Sequence, residues 1–468
     1  MALGIHSILS HPFLIDGMRD AMVLLSVLSL VLYLIAVRQL RWRRYHQIHR
    51  QYQSKHELGG VLTPEEAQRV IEVCLSYDMP MLMRYSLSLA LFKTYAIPTL
   101  SKILKGTREI SSREGISKRF ADTEILIGTV IACPITGKTL EADSDSNHNN
   151  LTKSVSYDSE AATVPWTRLD DPRAMIALAR VNWLHAKYPI KNEDYLYTLG
   201  LTIFEPQRWA RMYGWRELSK LECHALYVFW VEIGNRMGIK DIPNSPEEFK
   251  DWCLNYQQFT MIPAQSNHDV ANTTLEEFIR VLPNRFGIRS FAKGVAISLL
   301  EDIVREAMML PPQPRYLLTF IATLLRSISF IQLHLCLPRR SPSGPIDAKL
   351  PAECPFGHSS FSSTSVSNST IDINTDPARM HPNSFQIRPW YKPESDGIFG
   401  KLGDKIRVWM GLWDEVPSSR LRSGGYRLEE LGPLRYEKDG HEEVIRSAEK
   451  LLGAPITGPW AADKEYLS

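Results

Sequence analysis

Asp171-Pro-Arg-Ala-Met-Ile-Ala-Leu-Ala-Arg-Val-Asn-Trp-Leu-His185 is the stretch whose reading decides the fold. Asp171 offers a side-chain acceptor at a helix cap, and Pro172 occupies the first turn, where a missing N–H costs nothing. Leu178, Val181 and His185 stand at i−7, i−4 and i, which puts the imidazole on the apolar stripe of a helix. A histidine so placed is either a hydrogen-bonded core residue or a ligand, and the spacing leaves both open. Upstream, Arg119 and Thr123 have the same i, i+4 relation on a second candidate helix.

Helical periodicity extends in both directions from this stretch. Thr63-Pro64-Glu65-Glu66 opens a helix by cap and first-turn charge, with Val70, Ile71, Cys74 and Leu75 at helical spacing. Ile116, Phe120, Thr123, Ile127 and Val130 form one stripe beside Arg119. Downstream, Trp215 to Trp230 reads as a long apolar helix with Gly234 and Gly238 near its end. Leu317–Leu325 and Ile328–Leu337 read as a helix that is buried or rests on a membrane. A short helix from 442 to about 452 is the last regular element, and Arg388-Pro-Trp-Tyr-Lys-Pro393 reads as a docking turn for the tail. No strand ladder or internal repeat is visible, so the fold class is all-α.

Residues 21–37 carry no charge. At 1.5 Å per residue this run reaches the lower limit for crossing a bilayer, roughly 17–25 residues. The following segment, Arg38-Gln-Leu-Arg-Trp-Arg-Arg-Tyr-His-Gln-Ile-His-Arg50, is cationic, with Trp42 and Tyr45 suited to the interface. The positive-inside rule then sets residues 38–468 in the cytosol. A cleavable signal is the weaker reading, because Arg19 and Asp20 nearly cancel before the run and no small-residue site follows it. The resulting division is a short lumenal N-terminus (1–20), a transmembrane helix (21–37), a basic juxtamembrane segment (38–58) and a helical domain (59–338). That domain carries a polar insertion at 134–165. A Ser- and Pro-rich linker (339–385) and a loop-rich C-terminal tail (386–468) complete the chain.

With 468 residues, 44% of them hydrophobic, the chain can bury a large core. A net charge of +2 and the absence of any nucleic-acid motif set that partner aside. The six cysteines are scattered with no Cys-x-x-Cys, which argues against a zinc site and a disulfide framework. There is no Gly-x-Ser-x-Gly elbow, no P-loop and no histidine preceded by glutamate at i−3, which removes serine-hydrolase, nucleotide and di-iron chemistry. His46-x-x-His49 is a single pair in a basic segment and reads as interfacial. Cys133-Pro and Cys354-Pro lack any haem-thiolate surroundings. What stays is a membrane-tethered helical domain with inward histidines at 185, 224 and 334. An axial histidine in a helical pocket is a common way to hold haem b.

At this point the sequence resembles the fungal MpaB-type oxygenases, endoplasmic-reticulum-bound enzymes that share a catalytic domain with bacterial rubber oxygenases. The match rests on Phe92-Lys-Thr-Tyr-Ala-Ile-Pro-Thr99, Arg119-Phe-Ala-Asp-Thr123, Ala179-Arg-Val-Asn-Trp-Leu-His185 and Asp194-Tyr-Leu-Tyr-Thr-Leu199. Trp215-Arg-Glu-Leu-Ser219 and Leu431-Gly-Pro-Leu-Arg-Tyr436 with Gly440-His441 extend it in the expected order. The resemblance implies a globin-like haem b domain, its iron held by His185, with Arg119 and Thr123 as the Arg-x-x-x-Thr pair beside the haem. It also implies O₂-dependent cleavage of an isoprenoid double bond in a lipophilic intermediate of secondary metabolism, in the endoplasmic reticulum membrane and among other pathway enzymes. Where the rubber-oxygenase branch can carry a lysine before that threonine, this chain has Asp122. Two other readings stay beside this one: a catalytically silent, membrane-tethered lipid-binding or scaffold protein, and an oxygenase with a non-haem metal.

Overall fold

The computed structural model describes residues 12–57, 60, 62–110, 112–137, 171–283, 285–347, 379–456 and 460. Most of the 134–165 insertion and the centre of the 339–385 linker lie outside the described residues. Among the described residues the fold is all-α, with one isolated antiparallel bridge, Met380–Tyr426, in place of a sheet.

The chain begins with α1, Pro12–Glu57, one helix that carries the apolar run directly into the basic segment. Then come α2 (Pro64–Glu72), α3 (Pro80–Lys93), α4 (Pro98–Gly106) and α5 (Arg113–Ala132). The central group is α6 (Arg173–His185), α7 (Asn192–Tyr213), α8 (Lys220–Arg236), α9 (Pro246–Thr260) and α10 (Gln265–Phe278). After it follow α11 (Ile288–Ser298), α12 (Asp302–Ala307) and α13 (Arg315–His334). The tail adds α14 (Gly397–Trp409) and α15 (His441–Leu452).

The expected cap at Thr63 is present as a full capping box, Thr63 and Glu66 each accepting the other's backbone N–H. The helix widens into a π-helical turn at Val73–Asp78, and Asp78 at its end is buried. There Arg216 binds Asp78 at 2.7 Å and Glu222 at 2.6 Å, all three side chains being buried. Trp215 to Leu218 is therefore a connecting segment rather than the start of a helix. Ser219 caps α8 and completes a second capping box with Glu222. The Trp-Arg-Glu-Leu-Ser motif thus holds helices in place.

Two further expectations change. His334 is exposed at the end of α13, against Phe330, and His224 is half-exposed on α8, so neither points into the core. His49, by contrast, is buried, with Nδ1 at 2.8 Å from the Tyr45 carbonyl and Nε2 at 2.8 Å from Ser219 Oγ. The basic segment therefore docks on the domain. Arg41 and Arg44 donate to the carbonyls of Cys336 and Arg339, just past the end of α13.

The helix α6 is the axis of the domain. Its first eight residues, Arg173 to Arg180, are all buried, because α5 covers one side and α15 another. It starts one residue later than the sequence indicates, yet Asp171 still accepts the Arg173 N–H and pairs with its guanidinium. Arg180, completely buried, has no carboxylate within ion-pair distance among the described residues. It donates instead to the carbonyls of Leu431 (2.7 Å), Tyr436 (2.6 Å) and Asp439 (2.7 Å). Burial lowers its pKa to about 10, so it stays charged at neutral pH. That fork of carbonyls fixes the Leu-Gly-Pro-Leu-Arg-Tyr loop on the central helix.

Candidate active site

The site is a seam between α5 and α6. On α5 the buried residues are Ile116, Ser117, Lys118, Asp122, Ile125, Leu126, Gly128, Thr129 and Val130. Phe120, Thr123 and Ile127, read from the sequence as part of one core stripe, are only half-buried, and so is Arg119 between two turns of them. Facing them, α6 loses its all-round burial after Arg180: Val181, Leu184 and His185 are likewise half-buried. Tyr195 of α7 closes the end, its ring centroid 5.7 Å from that of His185.

The polar groups in this seam lack partners. Among the described residues no hydrogen bond engages either ring nitrogen of His185, and its Nδ1 is sealed from water. A buried nitrogen without a partner costs about 1–3 kcal/mol and calls for a ligand or a functional explanation. Burial, with a smaller contribution from the Arg119 charge, lowers the imidazole pKa to about 4, so His185 is neutral. Neutral imidazole is the metal-binding form. Arg119 has no carboxylate within ion-pair distance, and the Thr123 and Tyr195 hydroxyls make no hydrogen bond, again among the described residues. Burial alone raises the Tyr195 phenol to about 12, which keeps it protonated.

Asp122 does something else. Its carboxylate accepts from Tyr391 Oη (2.6 Å), Lys118 Nζ (2.8 Å) and the Gly432 N–H (3.0 Å). Lys118 also reaches Tyr391 Oη and the Gly432 carbonyl. Asp122 therefore turns toward the tail and binds it, and does not stand in the seam as a replacement for a ligand. Trp390, beside Tyr391, donates to Ser117 Oγ at 3.3 Å, so the Arg-Pro-Trp-Tyr turn docks on α5 as expected. One turn of α5 thus has two sides: Lys118 and Asp122 hold the tail, while Arg119, whose charge reaches His185, and Thr123 are half-buried and take no part in that contact.

A donor set can be read from these neighbours. Among the described residues no three His, Cys, Asp or Glu side chains converge. A mononuclear non-haem iron site generally needs such a triad. A single neutral histidine with a nearby unpaired arginine fits a cofactor that brings its own equatorial donors and its own anionic groups, as haem does. Sequence reasoning missed Tyr195 as a neighbour of His185 and Phe278 as a partner of Phe120, whose rings stack at 4.9 Å. Both contacts join helices far apart in the chain, and no local spacing encodes them.

Residues 160–328 match the family model described as "ER-bound oxygenase mpaB/B'/Rubber oxygenase, catalytic domain". An "ER-bound oxygenase mpaB'" of Penicillium brevicompactum is 26% identical over 443 residues, 90% of each chain. An "ER-bound oxygenase mpaB" of the same species is 28% identical over 304 residues, 61% of this chain and 68% of the relative. That of Penicillium roqueforti is 27% identical over 297 residues, 60% of this chain and 88% of the relative. By these matches the chain is similar to proteins described as ER-bound oxygenases, a class of oxidoreductase. His185 falls inside the matched domain; Arg119 and Thr123 precede it and join it through the packing of α5 on α6.

Proposed function

We propose that this chain is a haem b-dependent oxygenase of the endoplasmic reticulum membrane that cleaves a carbon–carbon double bond in the isoprenoid part of a lipophilic secondary metabolite. The observation that carries the reading is His185, whose buried Nδ1 has no protein partner in a seam where Arg119 and Thr123 are also unengaged. His185 would hold the iron, within a helical domain that we read as globin-like. When bound, haem b supplies the redox-active iron at which O₂ chemistry becomes possible.

The chain's own residues set the conditions. His185 is already neutral, so no proton has to leave before it acts as a ligand. The Arg119 guanidinium, uncommitted to any carboxylate, can pair with a propionate or stabilise negative charge that develops on oxygen. Thr123, one turn further along the same face, can donate a hydrogen bond into the seam. Phe120 and Phe278 offer stacked apolar walls of the kind a prenyl chain packs against.

Attachment follows from α1. Its apolar part is exposed along Met22–Leu32, and the basic part that follows is docked to the domain by His49, Arg41 and Arg44. A single span with the bulk of the chain in the cytosol is the topology we infer. The test is spectroscopic. Purified chain supplied with haem should show a Soret band, which His185→Ala should lose while its circular dichroism is unchanged. A chain that retains no haem overturns the cofactor; full retention in His185→Ala overturns the ligand. O₂ uptake on adding a farnesylated phenol tests the substrate class.

A further inference from the structure

The geometry points to α14 as a second membrane contact: an amphipathic helix lying in the leaflet that α1 crosses, acyl chains against its apolar face and lipid phosphates beside Lys401 and Lys405. Periodicity does not reveal this helix, because Gly397, Gly400 and Gly403 fall within it and glycine weakens helix propensity. Its first residue, Gly397, adopts a left-handed φ of 72° that turns the chain into the helix.

The exposure pattern is one-sided. Ile398, Phe399 and Trp409 are 84%, 90% and 86% exposed, and Leu402, Ile406 and Met410 continue the same face. At about 100° per residue these six fall within an arc of roughly 120°. Asp404 is the buried side chain of α14 and lies about opposite the centre of that arc. It ties the helix to the preceding segment through Lys392 (3.6 Å) and pairs within the helix with Arg407 (3.2 Å), and both cations also lie over the Trp413 ring. The tether is therefore polar and faces inward, leaving the apolar arc outward. Lys405 and Lys401 flank one edge of the arc, the arrangement that helices in an anionic lipid interface use.

Continuity identifies the occupant as a bilayer. The loop after α14 is tied by Asp414 to Arg280, at 2.5 Å, in the segment that leads to α11. Phe291 of α11 packs on Phe320 of α13, with ring centroids 5.5 Å apart. The end of α13 is bonded in turn to α1, through Tyr33 Oη to the Leu335 carbonyl and through Arg41 to the Cys336 carbonyl. Exposed Phe286, Ile288, Phe320 and Phe330 lie along this route. A path of exposed apolar residues that ends on a bilayer-length helix matches a membrane plane better than a protein partner of limited area.

The test uses the full chain reconstituted in phosphatidylcholine–phosphatidylserine vesicles. A thiol-reactive, environment-sensitive fluorophore is placed at Phe399→Cys, and as reference at the exposed polar Lys438→Cys, both in a Cys336→Ser background. Doxyl-labelled lipid should quench the probe at 399 about twofold or more, the depth expected of an interfacial helix, and leave the probe at 438 nearly unchanged. Equal quenching at the two positions overturns the proposal. Because a label can disturb a helix, the unmodified chain is also photolysed with a diazirine phospholipid. Lipid adducts on residues 397–412 support the contact. Their absence, with adducts confined to other parts of the chain, overturns it.

Discussion

At the residue scale, neighbours on α5 are expected to behave in opposite ways. Asp122 neutralises a buried lysine and accepts three hydrogen bonds, so Asp122→Leu strands Lys118 and should cost on the order of 3–5 kcal/mol. Arg119 touches no carboxylate among the described residues, so Arg119→Met should change stability by less than about 1 kcal/mol while lowering oxygenase turnover. Chemical denaturation of the two variants, with O₂ uptake on the second, checks both. Equal destabilisation would show that Arg119 is a packing residue. The sequence placed Arg119, Thr123 and His185 at helical spacing but could not separate site from core. Only burial showed that the stripe with Phe120, Thr123 and Ile127 is left half-open. Asp122 lay outside its reach, because its partners Tyr391 and Gly432 are about 270 and 310 residues away.

At the element scale, the tail is held by glycines with different tasks. A Cβ on Gly440 would come within 2.2 Å of the Trp183 indole, and the residue has a φ of 76°. Gly453 has a similar φ of 68° but open space around it. Gly453→Ala should therefore cost only the left-handed backbone, about 1 kcal/mol, whereas Gly440→Ala adds overpacking of about 1–3 kcal/mol. Thermal melts of the pair test this, and equal losses would remove the contact with Trp183 as the cause. The elements themselves were largely legible. The cap at Thr63, the apolar part of α1, α5, α6 and the final helix all follow from periodicity and capping residues. The helix α14 was hidden by its glycines, and the start of α8 was read too early because an aromatic run resembles a helical stripe.

At the scale of the whole molecule, buried ion pairs join distant parts of the chain. Lys93 of α3 meets Glu205 of α7 at 2.7 Å and Glu301, just before α12, at 2.9 Å. Burial alone would raise the Glu301 pKa, but Lys93 outweighs it and the carboxyl lies below its usual value of 4.5. A carboxylate whose folded pKa is depressed stabilises the fold above its unfolded pKa and loses that contribution as the pH falls through the folded value. The urea midpoint should thus drop as the pH falls below the usual carboxylate value of 4.5, and Glu301→Gln should flatten that part of the curve. An unchanged slope in the variant would assign the acid transition to other carboxylates. Removing residues 431–468 should be far more damaging, since it takes away the three carbonyls that satisfy Arg180 inside the core. Such a chain is expected to be recovered only as aggregate.

The helix α1 has 46 residues without a break, so under the single-span topology proposed above its apolar part and the part docked on the domain turn as one shaft. The angular setting of the domain above the lipid is then a matter of phase. One residue inserted between the two parts rotates one end against the other by about 100°, and seven residues bring it back to within roughly 20°. Oxygenase activity on a bilayer-borne substrate should follow that rhythm, low after one or two added alanines near position 38 and partly restored after seven. A hinged tether would show no such periodicity, so this rhythm would mark α1 as a keyed coupling between the proposed span and the domain.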